Sequence, residues 1–185
     1  MGEYENIIKL LDILSICFSF PEKNIWTDEL LNIIDIISKD LNIKCSSKEY
    51  RLPHLNDLQA EYTRLFINTG VDKIVAPYAS VYLDDAGLLC QEGLEEALNF
   101  YKRAGFSPLP SSEPQDHIMH ELSFLARLIE KDNWELFCEF LNNHLIKWFP
   151  AFYTRLLKAK PICFYEQVAK ITNFVLSQAR EEVCQ

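Results

Sequence analysis

From Tyr4 to Phe18 the apolar residues Tyr4, Ile7, Ile8, Leu11, Leu14 and Phe18 recur at steps of three and four, and Pro21 marks the stop. That spacing places them on one side of an α-helix, and a chain that keeps repeating it is committed to packing helix against helix. A second stripe, Leu30, Ile34, Ile37 and Leu41, follows Thr27, with Asp28 and Glu29 in the first turn. Carboxylates there favour the positive end of the helix dipole. Residues 42–53 read as a polar loop, and Leu55, Leu58, Tyr62, Leu65 and Phe66 make a third amphipathic segment.

The pattern predicts a long helix over 82–104 with Gly105 as its C-terminal cap, then a helix over 114–131 with Pro114 in its first turn. Trp134, Phe137, Cys138, Leu141, Leu145 and Trp148 form the next stripe, expected to end at Pro150, and helices over 151–158 and 162–179 complete the chain. No Asn-Gly or Asp-Gly turn occurs and Ile/Val alternation is scarce, so strands are not expected. The fold class is all-α: a single helical bundle of about seven to nine helices, one domain over 1–185, with a candidate hinge in the Pro/Ser-rich stretch 106–114.

At 185 residues, with 49% apolar and 24% charged side chains, the composition is that of an ordinary globular domain. Folding at this size buries roughly 70% of the unfolded surface, so neither metal nor disulfide is required. The formal charge of −9 weighs against nucleic acid as a partner and leaves room for a basic one. Six cysteines (Cys17, Cys45, Cys90, Cys138, Cys163, Cys184) stand at least 21 residues apart with no C-x-x-C. A structural zinc is therefore not expected, and the reading is buried, reduced thiols in a reducing compartment. Glu3 and Glu5 stand where an export signal carries positive charge, and the uncharged run 74–83 is ten residues, too short to span a bilayer. Asn6 breaks the myristoylation pattern. A cytoplasmic protein without stable membrane insertion is expected. No phosphate-binding glycine loop, nucleophile elbow or H-E-x-x-H motif is present, so no cofactor and no catalytic residue is assigned.

Two clusters stand out. The first is 113–121, Glu-Pro-Gln-Asp-His-Ile-Met-His-Glu. On a helix His117, His120, Glu121, Phe124 and Leu128 share one side, while Ile118, Leu122, Leu125 and Ile129 form the core face. Three readings stay open on physical grounds: a capped helix start with His117 paired to Glu121, a metal site, or a ligand site at a helix N-terminus built on Asp116 and His117. The metal reading lacks an evident distant ligand. The second cluster is Ala76-Pro77-Tyr78-Ala79-Ser80-Val81-Tyr82 followed by Asp84, Asp85, Glu92, Glu95 and Glu96, with no basic residue between Lys73 and Lys102. It is either a solvated acidic face or a patch for a basic peptide, with Tyr78 and Tyr82 as contact area.

In this order the clusters resemble the TorD/DmsD family of molybdoenzyme-maturation chaperones. Glu113-Pro114-x-Asp116-His117-x-x-x-Glu121 is similar to that family's most characteristic motif. Glu61-Tyr62-x-Arg64-Leu65-Phe66, Pro77-Tyr78-x-Ser80-Val81-Tyr82 and His144-Leu145-x-x-Trp148-x-Pro150-x-Phe152 support it. The resemblance implies a cytoplasmic chaperone without turnover. It binds the N-terminal, often twin-arginine, signal of a molybdoenzyme catalytic subunit and assists folding, cofactor insertion and export, as a monomer or a helix-exchanged dimer. The implied peptide-binding residues include Pro77, Tyr78, Ser80, Tyr82, Pro114, Asp116 and His117. Asp84, Asp85, Glu121 and Phe124 join them on physical grounds, with the acids from Asp84 to Glu96 and Asp116 expected to meet the arginines, and Tyr78, Tyr82 and Phe124 the apolar segment. Many relatives carry tryptophan where Tyr78 stands. The alternatives are a nitrate-reductase-type assembly chaperone for a non-exported client, and a small helical enzyme with His117 as general base oriented by Asp116 or Glu121.

Overall fold

The computed structural model describes residues 4–23, 25–46, 52–67, 75–83, 89–90, 92–107 and 112–184. Among them the elements are α1 (Glu5–Cys17), α2 (Asp28–Asp40), α3 (Leu55–Tyr62), α4 (Ser80–Leu83), α5 (Glu92–Arg103), α6 (Ile118–Glu130), α7 (Trp134–Phe140), α8 (Ile146–Lys158) and α9 (Cys163–Glu182). One π-helical turn, Thr63–Ile67, extends α3, and another, Leu141–Leu145, joins α7 to α8. The described residues contain no strand, only an isolated antiparallel bridge between Tyr78 and His117. The fold class is the expected all-α one.

Helix α6 occupies the middle. Ile118, Leu122, Leu125 and Ile129 are buried as expected, but so are Glu121, Phe124, Ala126 and Leu128. Helix α1 lies along α6, while α2 and α8 pack on α9. Thr27 caps α2, its side chain accepting from Leu30 N–H, and Gly105 (φ 74°) ends α5 in the left-handed conformation expected of it. No helix of the described residues is long and apolar enough to cross a membrane.

Four sequence expectations are corrected. The helix over 82–104 is two elements: Gly93 lies against the Ala79–Ser80 backbone, so close that a Cβ there would sit 2.5 Å from Ser80 N. Thirteen residues of straight helix span about 20 Å, so this contact is incompatible with one unbroken helix through 80–93. Cys90, at φ 58°, lies between the two elements, while Asp84 and Asp85 fall outside the described residues. Second, α6 starts at Ile118 rather than at Pro114, because 114–117 forms a turn in which His117 N–H donates to the Pro114 carbonyl. Third, Pro150 does not end a helix but sits inside α8. Its missing N–H leaves one in-helix acceptor of the preceding turn unused, and the burial of Trp148, Phe149, Phe152 and Leu156 holds the helix together regardless.

The fourth correction concerns the thiols. Cys45 is bonded to Cys163 and Cys138 to Cys184, across 118 and 46 residues, so four cysteines are cystine halves. Cys17 is a buried free thiol, pushed up by burial, and Cys90 is free and exposed. Sequence spacing conceals such pairs because the two bonds bracket α9, fastening its first residue to the segment after α2 and the residues beyond its end to α7. Of the hinge 106–114, residues 108–111 fall outside the described ones.

Candidate functional site

The two clusters singled out in the sequence meet. Ala79 N–H donates to the Asp116 carbonyl (3.0 Å) and Ile118 N–H to the Pro77 carbonyl (2.8 Å), which produces the Tyr78–His117 bridge. Side chains reinforce it. The Asp116 carboxylate accepts from Ser80 N–H at 2.9 Å and from the Ser80 hydroxyl, and all three groups are buried. The Tyr78 hydroxyl donates to Glu113, and the Tyr78 ring meets the His117 ring edge-on at 4.9 Å. Tyr101 of α5 donates its hydroxyl to the Gln115 carbonyl (2.8 Å), and Ser15 of α1 to that of Met119 (2.7 Å). A loop and a helix start, about 36 residues apart in sequence, thus form one rigid ledge.

His117 is the N-cap of α6: its Nδ1 accepts from Met119 N–H at 3.1 Å. The ring is therefore the tautomer with its proton on Nε2, and that nitrogen is buried without a partner. Burial, then the neighbouring His120, lowers its pKa to about 3. The only lone pair of the neutral ring is already engaged, which leaves the general-base reading without a base. Pairing of His117 with Glu121, one of the open readings, does not occur.

Glu121 instead faces a partner that sequence reasoning did not assign. Its carboxylate lies 2.8 Å from His144 Nε2 and accepts from Trp148 Nε1–H at 3.0 Å, and the other His144 nitrogen lies 3.0 Å from Glu96. Burial opposes a charge on His144, but Glu121 and Glu96 outweigh it and raise its pKa to about 9. Burial raises that of Glu121, with His144 and Trp148 acting against it. The result is a buried imidazole whose two nitrogens each face a carboxyl group, an arrangement that favours its protonated form and ties α5 and the π-helical turn to α6. His144 and Trp148 stood in one of the quoted motifs, yet nothing in linear spacing links them to Glu121.

The remaining expected residues are distributed as follows. Pro77 is buried, Tyr78, Tyr82 and Pro114 are half-buried, and Glu92 and Glu95 are exposed on α5. Phe124, expected to offer apolar surface, is enclosed by Tyr101, Phe106 and Phe140. Tyr82 stacks on the buried Trp148. Among the described residues no group of three or more His, Cys, Asp or Glu side chains is arranged to hold a metal ion.

A family model described as nitrate reductase delta subunit matches residues 28–154, which include the whole ledge and the Glu121–His144–Trp148 cluster. The chain is 32% identical over 169 residues to the chaperone protein TorD of Aliivibrio salmonicida, covering 82% of this chain and 72% of that one. The chain belongs to the TorD-like nitrate reductase delta subunit family. Other TorD-like relatives include the chaperone protein TorD of Pasteurella multocida, 32% identical over 130 residues, and that of Vibrio parahaemolyticus, 33% over 138. Those matches span 70% and 65% of this chain, and 65% and 63%, just under two thirds, of the relatives. The TorD-like fold is also that of a crystal structure from Archaeoglobus fulgidus, a candidate redox enzyme maturation protein. The two share 23% identity with a TM-score of 0.58 over 92% of both chains.

Proposed function

We propose that this chain is a redox enzyme maturation chaperone, a single domain that holds the N-terminal leader of a molybdoenzyme catalytic subunit and performs no turnover. In this reading the leader is retained in the cytoplasm while the client folds, takes up its cofactor and is released for export. The observation that supports it most is the hydrogen-bonded ledge. Asp116 and Ser80, buried and bonded to each other, fix a surface on which Tyr78, Tyr82 and Pro114 remain partly open beside the acidic first turns of α5. A leader has a basic stretch followed by an apolar one. Acids and half-exposed aromatic rings complement those two halves, the apolar contacts supplying most of the affinity because each exposed charge pair contributes only about 0.2–1 kcal/mol.

In this account Asp116, Ser80, His117 and Glu121 shape the ledge from within, and Tyr78, Tyr82, Pro114 and the acids, with Asp84 and Asp85 among them, meet the peptide. Exchange of helices about 106–114 would give a dimer with the same ledge. A second reading takes up the family model's description as a nitrate reductase delta subunit: assembly of a non-exported molybdoenzyme, for which we propose a leader without paired arginines. Co-expression with the client enzyme tests the proposal. Capture of full-length client, and its loss when the leader is deleted, is the expected result, while equal capture without the leader removes the proposal. Capture undiminished when the leader's arginines become alanines favours the second reading.

A further inference from the structure

Tyr82 is held in a stack. Trp148, fully buried and fixed by its hydrogen bond to Glu121, lies parallel to it at 5.7 Å and 23°, and Phe152 meets its edge region at 6.2 Å and 80°. With the indole on the inner face, the outer face is left, and the exposed Arg155 of α8 covers it, guanidinium carbon 4.9 Å from the ring centroid. The Tyr82 hydroxyl is buried, and the Arg155 guanidinium over the ring also lies close enough to it to work against the rise in pKa that burial causes. In a chain with 27 acidic against 18 basic side chains, Arg155 makes no ion pair among the described residues. By contrast Arg64, Arg103 and Arg127 all hold carboxylates.

We propose that Arg155 is an internal occupant of a guanidinium subsite on Tyr82, displaced when an arginine side chain of a bound peptide takes the same ring face. The inference rests on the peptide reading above and deepens it by naming one side chain the surface recognises and the residue that guards the place. A second guanidinium does not settle beside the first, because like charges repel. It therefore replaces Arg155 rather than joining it. Displacement breaks no ion pair, and the stem of Arg155 is free to swing into solvent. Flat cations fit this face, where planar guanidinium stacks on the ring, better than the compact ammonium of lysine.

The test uses argininamide as the probe, followed by NMR of the Arg155 side chain, whose resonances the Tyr82 ring current displaces. Argininamide is expected to return them to their unstacked positions, whereas glycinamide leaves them unmoved. In Arg155→Met, argininamide and an arginine-bearing leader peptide bind about two- to fivefold tighter, the fold-change expected from an exposed cation–π contact. The same peptide with alanine for arginine shows no gain, and Tyr82→Leu abolishes it. Resonances unmoved by argininamide, or unchanged or weaker binding in Arg155→Met, overturn the proposal. If argininamide displaces Arg155 while no leader peptide binds the wild type, the subsite stands and the leader reading falls.

Discussion

Glu121 and His144 lie 2.8 Å apart with both side chains fully buried, and this contact joins the helix that carries the Asp-His motif to the acidic helix α5 through Glu96. A charge pair in such a place specifies how elements sit more than it stabilises them, since desolvation offsets much of the attraction. Removing one partner is another matter. His144→Ala leaves Glu121 uncompensated and is expected to cost about 3–5 kcal/mol in urea unfolding. The double variant Glu121→Gln/His144→Gln should be markedly less destabilised than the sum of the singles, and additive losses would mean the two residues are not coupled.

The two buried histidines set opposite pH limbs. His117 drops from 6.5 to about 3, so in that window the unfolded chain binds a proton the native state refuses, and stability is lost as pH falls. His144 rises from 6.5 to about 9, so its contribution is complete below 6.5 and is lost as pH rises through about 9. Unfolding midpoints measured against pH should peak near 6.5 for these two groups. His117→Asn, which keeps an N-cap acceptor, flattens the acid limb, and His144→Gln flattens the alkaline one. Limbs unchanged in both variants would contradict the assignment.

Gly93 controls the seating of α5 on the ledge. A methyl group there would lie 2.5 Å from Ser80 N and 2.8 Å from the Ala79 carbonyl carbon, both backbone atoms that do not yield as a side-chain tip does. Gly93→Ala is expected to destabilise by about 1–3 kcal/mol. It should also shift the Ser80 amide resonance, because that N–H is the donor to Asp116. Gly105→Ala, with open space around it but φ 74°, should affect stability and leave the Ser80 resonance in place.

The cystines make a prediction that needs only intact protein. Mass spectrometry without reductant should find a chain four hydrogens lighter than the fully reduced one, with Cys45 joined to Cys163 and Cys138 to Cys184. Reduction should lower unfolding stability by about 2–5 kcal/mol for each bond, chiefly because the unfolded chain regains the loop-closure entropy that the cross-link removes. Six reactive thiols and an unchanged unfolding midpoint would contradict the pairing.

The stripes of α1, α2 and α3, the Thr27 cap and the Gly105 terminus were legible because each depends on residues within one or two turns of each other. The meeting of the Pro77–Tyr82 and Glu113–Glu121 motifs was legible only as a resemblance. The differences have a common cause: Pro114 and Pro150 read as local punctuation, whereas the turn at 114–117 answers to hydrogen bonds with 77–79, and Pro150 is carried by the burial of its neighbours in α8. The Glu121–His144–Trp148 cluster was invisible for the same reason. Its members are 23 and 27 residues apart and are brought together by a π-helical turn that no spacing rule anticipates. The cystine pairs, 118 and 46 residues apart, belong to that class too.

On the proposed function, the ledge formed by Pro77–Tyr82 and Glu113–His117 is the surface that holds a leader peptide. Calorimetric titration of the client's leader peptide against the wild type, Tyr78→Ala and Asp116→Ala tests this, with Phe174→Ala, an exposed ring of α9, as the control. Tyr78→Ala is expected to weaken binding at least fivefold, as for an aromatic residue central to an interface, Asp116→Ala to weaken it as well, and Phe174→Ala to leave it unchanged. Equal affinity in the wild type, Tyr78→Ala and a folded Asp116→Ala protein would contradict the proposed function.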